Sequence, residues 1–217
     1  SILILFIVSI DIVTIMLSIT IYKTYEASFI ATEKLHQEYE KTQALTKQLE
    51  FEANFELLTQ MFNRRGFKNY IEEILTKDHM RKTMTAFVID IDYFKQYNDI
   101  YGHAKGDIVL HNVAKKIMQI ANKHGFITAR WGGEEFIAIS QQKNLQDNQL
   151  ACIALCQEIE QLAIPHEGSD ISAYITISIG SSTAQCANFD DIEALMDQAD
   201  KALYQVKKQG RNHHIHI

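Results

Sequence analysis

The seven residues "RWGGEEF", Arg130 to Phe136, constrain the fold more than any other part of the 217-residue chain. An adjacent glycine pair between apolar runs is a hairpin signal, because a type I′ turn needs positive φ at both central residues. "FITARW" leads in and "FIAIS" leads out, both rich in the β-branched and aromatic residues that strands favour. Glu134 and Glu135 then stand side by side at the hairpin tip or just past it. Two adjacent carboxylates gain a fold no stability, so the pattern calls for positive charge beside them.

A second acidic cluster lies upstream in "VIDIDYFKQYND", Val88 to Asp99, where Asp90 and Asp92 close an apolar strand. Side chains two apart on a strand share a face, so the pair projects together while the strand lasts. Around these motifs the chain alternates helix and strand. "FNRRGFKNYIEEILT" reads as a helix and "MTAFVIDI" as a buried strand. "DIVLHNVAKKIMQIANKH" reads as an amphipathic helix with Ile108, Val109, Val113, Ile117 and Ile120 on its apolar side. After the hairpin come a helix, "LQDNQLACIALCQEIEQLAI", and a strand, "ISAYITISIGSSTA". A helix ending at Gly210 and a short terminal strand, "NHHIHI", follow. The order β-α-β-β-α-β contains the ferredoxin-like unit: an α/β fold with an antiparallel sheet and flanking helices. In that order the first strand shares a sheet with the hairpin, so Asp90 can meet Glu134 and Glu135. Converging carboxylates make an all-oxygen site suited to Mg²⁺ beside a polyphosphate. Read separately, each acidic motif is also compatible with an exposed turn.

Two regions precede this domain. Residues 1–22, "SILILFIVSIDIVTIMLSITIY", are apolar apart from Asp11 and a few hydroxyls. As a helix they span roughly 33 Å, enough to cross a bilayer core. They lack the basic start and small-residue cleavage site of a secretory signal, and the expectation is a transmembrane helix. Asp11 costs about 2.5–3.5 kcal/mol at mid-span and belongs in a bundle interior. Lys23 suits a cytoplasmic side after the span. Residues 23–55 are polar, lack Gly and Pro, and read as a continuous helical linker. Leu35, Tyr39, Thr42 and Leu49 fit one coiled-coil phase and Thr42, Leu45, Leu49 and Glu52 another, so the register stays open between dimer and solvated spacer. The chain begins at Ser1 in mid-pattern, as a fragment of a longer protein would.

Composition narrows the function classes. A formal charge of −6 and a pI near 5.8 argue against a nucleic-acid backbone as partner. Cys152, Cys156 and Cys186 are odd in number without CxxC spacing, which points to reduced thiols. A zinc or other transition-metal site in the tail histidines His213, His214 and His216 is disfavoured.

Six motifs in order, "LLTQMFNRRGF", "DIDYFKQYND", "YGHAKGD", "RWGGEEF", "ISIG" and "ADKALYQVKKQGRN", carry a resemblance to the GGDEF family of diguanylate cyclases over residues 56–217. The signature stands here in its GGEEF form, Gly132-Gly133-Glu134-Glu135-Phe136. The resemblance implies a palm-type fold like that of class III nucleotidyl cyclases, and condensation of two GTP into cyclic di-GMP with release of two pyrophosphates. It further implies Mg²⁺ or Mn²⁺, a homodimer with facing sites or a paired linker, and a catalytic domain on the cytoplasmic side of a bacterial inner membrane. Matched residue by residue, Asp90, Glu134 and the Ile91 carbonyl correspond to metal ligands. Glu135 corresponds to a residue assisting metal binding or 3′-OH deprotonation. Tyr93, Phe94 and Lys95 form the turn whose amides hold phosphates, and Asn98 and Asp107 read the guanine edge. His103 is a position near the site, and Lys207 and Arg211 face the terminal phosphates. Bland readings stand beside these: Asn98 and Asp107 as helix caps, Lys207 and Arg211 as cations at a helix C-terminus.

Two departures qualify the match. The family's RxxD inhibitory motif is replaced by "KHGF", Lys123 to Phe126, so product inhibition through that site is expected to be absent or weak. In "ELLTQMFNRR" Glu56, Gln60 and Met61 replace the family's Asp, Gly and Leu, which implies tuned rather than abolished activity. The alternative class is a GTP-binding regulatory module that does not catalyse.

Overall fold

A computed structural model describes residues 2–77, 81–141 and 144–217. The chain divides into two units, one reaching to Phe51 and one spanning Glu52–Ile217. The first is a single helix, α1 (Ile2–Asn54), that continues by three residues into the second. Six of its threonines, at 14, 20, 24, 32, 42 and 46, return their hydroxyls to the carbonyl four residues back. That bond lets a β-branched polar residue sit in a helix without exposing an unpaired hydroxyl. The apolar side chains from Phe6 to Ile21 and the linker's Leu35, Tyr39, Leu45 and Leu49 are exposed. By length and composition α1 is long and apolar enough to cross a membrane.

The second unit is built on a five-stranded sheet. Its elements are α2 (Arg64–Thr76), β1 (Lys82–Ile91), α3 (Phe94–Tyr101), α4 (His103–His124), β2 (Ile127–Gly132), β3 (Glu135–Ser140), α5 (Leu145–Glu160), β4 (Ile177–Cys186), α6 (Phe189–Lys208) and β5 (His214–His216). The strand order is β2-β3-β1-β4-β5. The first three neighbouring pairs are antiparallel, as the ferredoxin-like order requires. β5 departs from that expectation and pairs parallel to β4, because α6 crosses over between them. Successive side chains of β1 alternate between two cores. Phe87, Ile89 and Ile91 pack under α4 and α5, while Met84, Ala86 and Val88 pack under α2 and α6. Asp90 continues the second series and so emerges at the end of the face that α6 covers.

Four local expectations are corrected. The hairpin tip is not a type I′ turn on Gly132-Gly133. Gly132 already pairs with Glu135, and among the tip residues Gly133 alone has positive φ, at 50°. A glycine at the first central position alone is the type II′ pattern. A helix that periodicity did not separate, α3, fills the turn after β1. Ile108 is 60 % exposed and is not part of the α4 core face. The strand begun at Ile171 starts instead at Ile177. Residues 164–175 fold back on themselves, with Ile175 N–H donating to the Ile164 carbonyl at 2.9 Å and His166 N–H to the Ala173 carbonyl at 2.9 Å. All three cysteines are free and buried, with burial pushing the Cys156 thiol up to about 12.

α6 approaches the sheet closely at Gly180, where an added Cβ would meet the backbone of Ala199 and Leu203. This contact seats the helix that carries Lys207. Gly180→Ala is expected to lower stability by about 1–3 kcal/mol or more, since rigid backbone on both sides leaves no side chain to yield. Urea denaturation checks it, and an unchanged midpoint would show that α6 can slide on the sheet.

Candidate active site

The register of two strands brings the acidic motifs together. Asp90 lies directly opposite Glu135 across the β1–β3 pair, and Ile91 N–H donates to the Glu134 carbonyl at 3.4 Å. Opposed residues of an antiparallel pair share a face, so Asp90 and Glu135 sit on the α6 side with Glu134 at the tip beyond them. Asp90 is 7 % exposed. Burial pushes its carboxyl up to about 6, helped by the charges of Glu134 and Asp92 and opposed by Lys207. Lys207, in the last turn of α6, supplies the opposing charge, its Nζ 2.9 Å from Asp90 Oδ2.

Asp92 takes a different part from its neighbour. It is 1 % exposed and accepts from Ser178 Oγ at 2.7 Å, Thr176 Oγ1 at 2.8 Å and Asn212 N–H at 3.2 Å. Burial outweighs these bonds and keeps its carboxyl above the ordinary range. The residue ties the end of β1 to β4 and to the segment after α6. That segment, Gly210-Arg211-Asn212, has positive φ throughout. Arg211 lies over the Tyr93 ring, 4.4 Å from its centroid, with Nε 3.9 Å from Asp92 Oδ1.

On the other side of the strand ends is an open cleft of about 470 Å³. It is lined by Phe94, Lys95, Asn98 and Asp99 of α3, His103, Asp107 and Leu110 of α4, and Arg130, Gly133 and Glu134 of the hairpin. Six sequence-derived candidates therefore meet in one cavity: Phe94, Lys95, Asn98, His103, Asp107 and Glu134. Asp90, Ile91, Tyr93, Glu135, Lys207 and Arg211 stand outside its lining. Neither Asn98 nor Asp107 is a helix N-cap. Tyr93 precedes α3 and Gly102 precedes α4. Asn98 Oδ1 is buried without a partner among the described residues, and Gly106 packs against it so closely that a Cβ would collide. A buried acceptor left unpaired costs about 1–3 kcal/mol.

One working residue, Arg130, was not singled out from sequence, and the anchoring part of Asp92 was not read there either. Arg130 donates to the Gly133 carbonyl from Nε at 3.0 Å and Nη2 at 2.8 Å, and its Nη1 meets Glu56 Oε1 at 3.0 Å. It clamps the hairpin tip to the turn that follows α1. Burial acts to raise the Glu56 carboxyl, but the Thr59 hydroxyl and amide and Arg130 hold it below its ordinary value. Gln60, where the family has glycine, adopts φ 60°. The sequence signal for Arg130 is its place two residues before the first signature glycine. For the Asp92 anchor it is a pair of hydroxyls, Thr176 and Ser178, two apart between isoleucines where β4 begins.

The donor set suits a hard divalent cation. Asp90, Glu134 and the Ile91 carbonyl are all oxygen, and the cost of the buried Asp90 charge is what a cation would relieve. Among the described residues no three His, Cys, Asp or Glu side chains converge as a ligand cluster, and this set contains only two.

Residues 53–213 match the family described as diguanylate cyclase, GGDEF domain. The chain is 36 % identical over 174 residues to the probable diguanylate cyclase DgcF of Escherichia coli K12, covering 78 % of this chain and 53 % of that protein. It is 37 % identical over 145 residues to diguanylate cyclase A of Treponema denticola, covering 66 % and 38 %. It thus spans about half or less of these relatives' lengths. Among solved structures it resembles the coiled coil and GGDEF domain of DgcB from Caulobacter crescentus in complex with c-di-GMP, at 27 % identity and a TM-score of 0.71 over 83 % of this chain and 94 % of that one. It also resembles the active GGEEF domain of a diguanylate cyclase from Vibrio cholerae, at 28 % identity and 0.60, over 72 % and 97 %.

The Asp90 carboxyl makes a pH prediction for metal-free buffer. Its folded value of about 6 exceeds the ordinary 3.8, so it costs the fold nothing below pH 3.8. The cost grows between pH 4 and 6 and is complete above that, at about 3 kcal/mol. Asp90→Asn should be more stable than the parent by about 1–3 kcal/mol at pH 7.5, with the gap closing near pH 4. A gap of constant size across this range would contradict the assignment.

Proposed function

Because the chain belongs to the GGDEF diguanylate cyclase family, we propose that it condenses two GTP into cyclic di-GMP and two pyrophosphates. The observation that carries this reading is the cleft joining Asn98, Asp107 and Glu134. Guanine offers an N1–H and an exocyclic amine on one edge. Asp107 accepts from that edge, and the Asn98 amide completes the reading of the base, which adenine cannot satisfy in the same way.

The amides of Tyr93, Phe94 and Lys95 hold the phosphates, and Lys207 and Arg211 take the terminal ones. For that Lys207 leaves Asp90. A flexible ammonium on a third-exposed stem can make this move. Asp90, Glu134 and the Ile91 carbonyl would hold Mg²⁺ or Mn²⁺, which when bound offsets the charge on the α-phosphate and on departing pyrophosphate. Glu135 stands on the same face as Asp90 and accepts the proton of the 3′-OH. As each new 3′-O–P bond forms, the bond from the α-phosphorus to the bridging oxygen breaks and pyrophosphate leaves. Each nucleotide supplies both the attacking hydroxyl and the attacked phosphorus, so two copies face each other. The linker, residues 23–55, pairs to bring them together.

Residues 1–22 cross the inner membrane and leave the catalytic domain cytoplasmic, a reading supported by the exposed apolar stretch of α1. Lys123 to Phe126 lack the acid and guanidinium of the inhibitory motif. Phe126 stacks on Phe87 at 5.1 Å, and product inhibition through this segment is absent or weak.

Purified chain incubated with GTP and Mg²⁺ should yield cyclic di-GMP and pyrophosphate in a 1:2 ratio by nucleotide chromatography. Glu134→Ala should lower the rate on the order of 10³-fold, the scale of a lost several-kcal/mol interaction at the reacting phosphate. GTP binding by a dimer without product would move the protein to the regulatory class.

A further inference from the structure

The side chain of Tyr93 has no part in the reading above, which uses only its backbone amide. Its position is nonetheless fixed at several points. Tyr93 has φ 55°, a left-handed conformation that a non-glycine residue holds only when its surroundings impose it. Its carbonyl accepts from Tyr97 N–H at 3.0 Å and lies 3.1 Å from Nε2 of His166, a histidine that is 1 % exposed and packs edge-on against the Tyr97 ring. The Tyr93 ring lies under the Arg211 guanidinium, 4.4 Å from the centroid, and its hydroxyl accepts from Arg211 Nη1 at 3.1 Å.

Arg211 is itself at positive φ, 62°, and its N–H donates to the Val206 carbonyl at 3.0 Å. Nη1 also reaches the Lys207 carbonyl at 3.4 Å, and Nε faces Asp92 at 3.9 Å. Nη2 has no protein partner among the described residues. A guanidinium lying over an aromatic ring, with one edge bonded, keeps its plane fixed and its other edge available to an anion.

We infer that Tyr93 is a positioning residue for Arg211: ring and hydroxyl together hold the guanidinium so that its open edge meets the terminal phosphates of the nucleotide. This rests on the nucleotide reading above and adds to it the residue that sets discrimination by phosphate number. The strained backbone at Tyr93 serves two ends at once. It opens α3, whose first residues carry the proposed phosphate amides, and its ring lies against Arg211 in the segment after α6. A flexible Arg211 would have to be ordered by each incoming nucleotide, whereas a held one is already in place.

The test measures equilibrium binding of α,β-methylene GTP and of α,β-methylene GDP to the full chain by calorimetry with Mg²⁺. Parent protein should prefer the triphosphate. Arg211→Ala should lower triphosphate affinity about tenfold and leave the diphosphate within about twofold, a factor of ten corresponding to one charge-assisted contact. Tyr93→Leu should reproduce that pattern, and Tyr93→Phe, which keeps the ring, should lose about two- to fivefold. The double variant Tyr93→Leu/Arg211→Ala should bind no more weakly than Arg211→Ala alone, because the two side chains act as one unit. Additive losses near a hundredfold, or equal losses for both nucleotides, would mean that Tyr93 only supports the fold. If Tyr93→Leu does not fold, Tyr93→Phe decides alone: an unchanged triphosphate preference overturns the inference. Parent protein that binds neither nucleotide overturns the nucleotide reading and this inference with it, whereas additive losses overturn the inference alone.

Discussion

A carboxylate buried at the end of the central strand organises this domain. Asp90 sits at 7 % exposure beside Glu134, Glu135 and Asp92, a concentration of negative charge that the low-dielectric end of a sheet tolerates only when it is answered. In the present state Lys207 answers it at 2.9 Å. That ion pair depends on where α6 lies, and α6 lies where it does because Gly180 admits its backbone against β4. The hairpin register, the helix seat and the charge balance are therefore one arrangement. Moving any of them would leave Asp90 buried without a counter-charge, the costly half of a broken pair.

The strand ends divide the site into two parts in different conditions. On one side, α3, α4 and the hairpin tip leave a cleft of about 470 Å³. On the α6 side, the two cations proposed to grip a nucleotide are folded onto protein groups: Lys207 onto Asp90, Arg211 onto Tyr93 and Asp92. The two engagements differ in kind. The lysine is a flexible point charge that can exchange one anion for another, while the arginine is laid flat with one edge open. On the proposed reading Lys207 moves on binding and Arg211 keeps its position.

Much of this was legible in the sequence because it depends on period and order. The two-residue alternation of β1 put Asp90 on one face, and the β-α-β-β-α-β order put the hairpin beside it. Chemistry-bearing residues of α3 and α4 were identified through motif order and do line one cleft. What escaped were contacts made across the fold by residues with no local pattern. Arg130 binds the backbone of the hairpin tip and reaches Glu56, 74 positions away in sequence. Asp92 looked like a partner of Asp90 in a shared site, yet two strand hydroxyls and a backbone amide turn it into an anchor. The turn type was misjudged because the bulge before Gly132 shifts the tip by one residue, which leaves positive φ at Gly133 alone. Strand propensity in "ISAYIT" gave way to a fold-back in which Ile164 and Ile175 pair outside the sheet.

On the proposed reading Lys207 holds the place of the bound charge and yields it to the nucleotide. A crystal structure of the chain with α,β-methylene GTP and Mg²⁺ addresses it directly. The account predicts that Lys207 Nζ leaves Asp90, moving beyond the 4 Å limit of an ion pair, and bonds a terminal phosphate oxygen while Arg211 keeps its place over Tyr93. A nucleotide bound in the cleft with the Lys207–Asp90 pair still closed at 2.9 Å would contradict it.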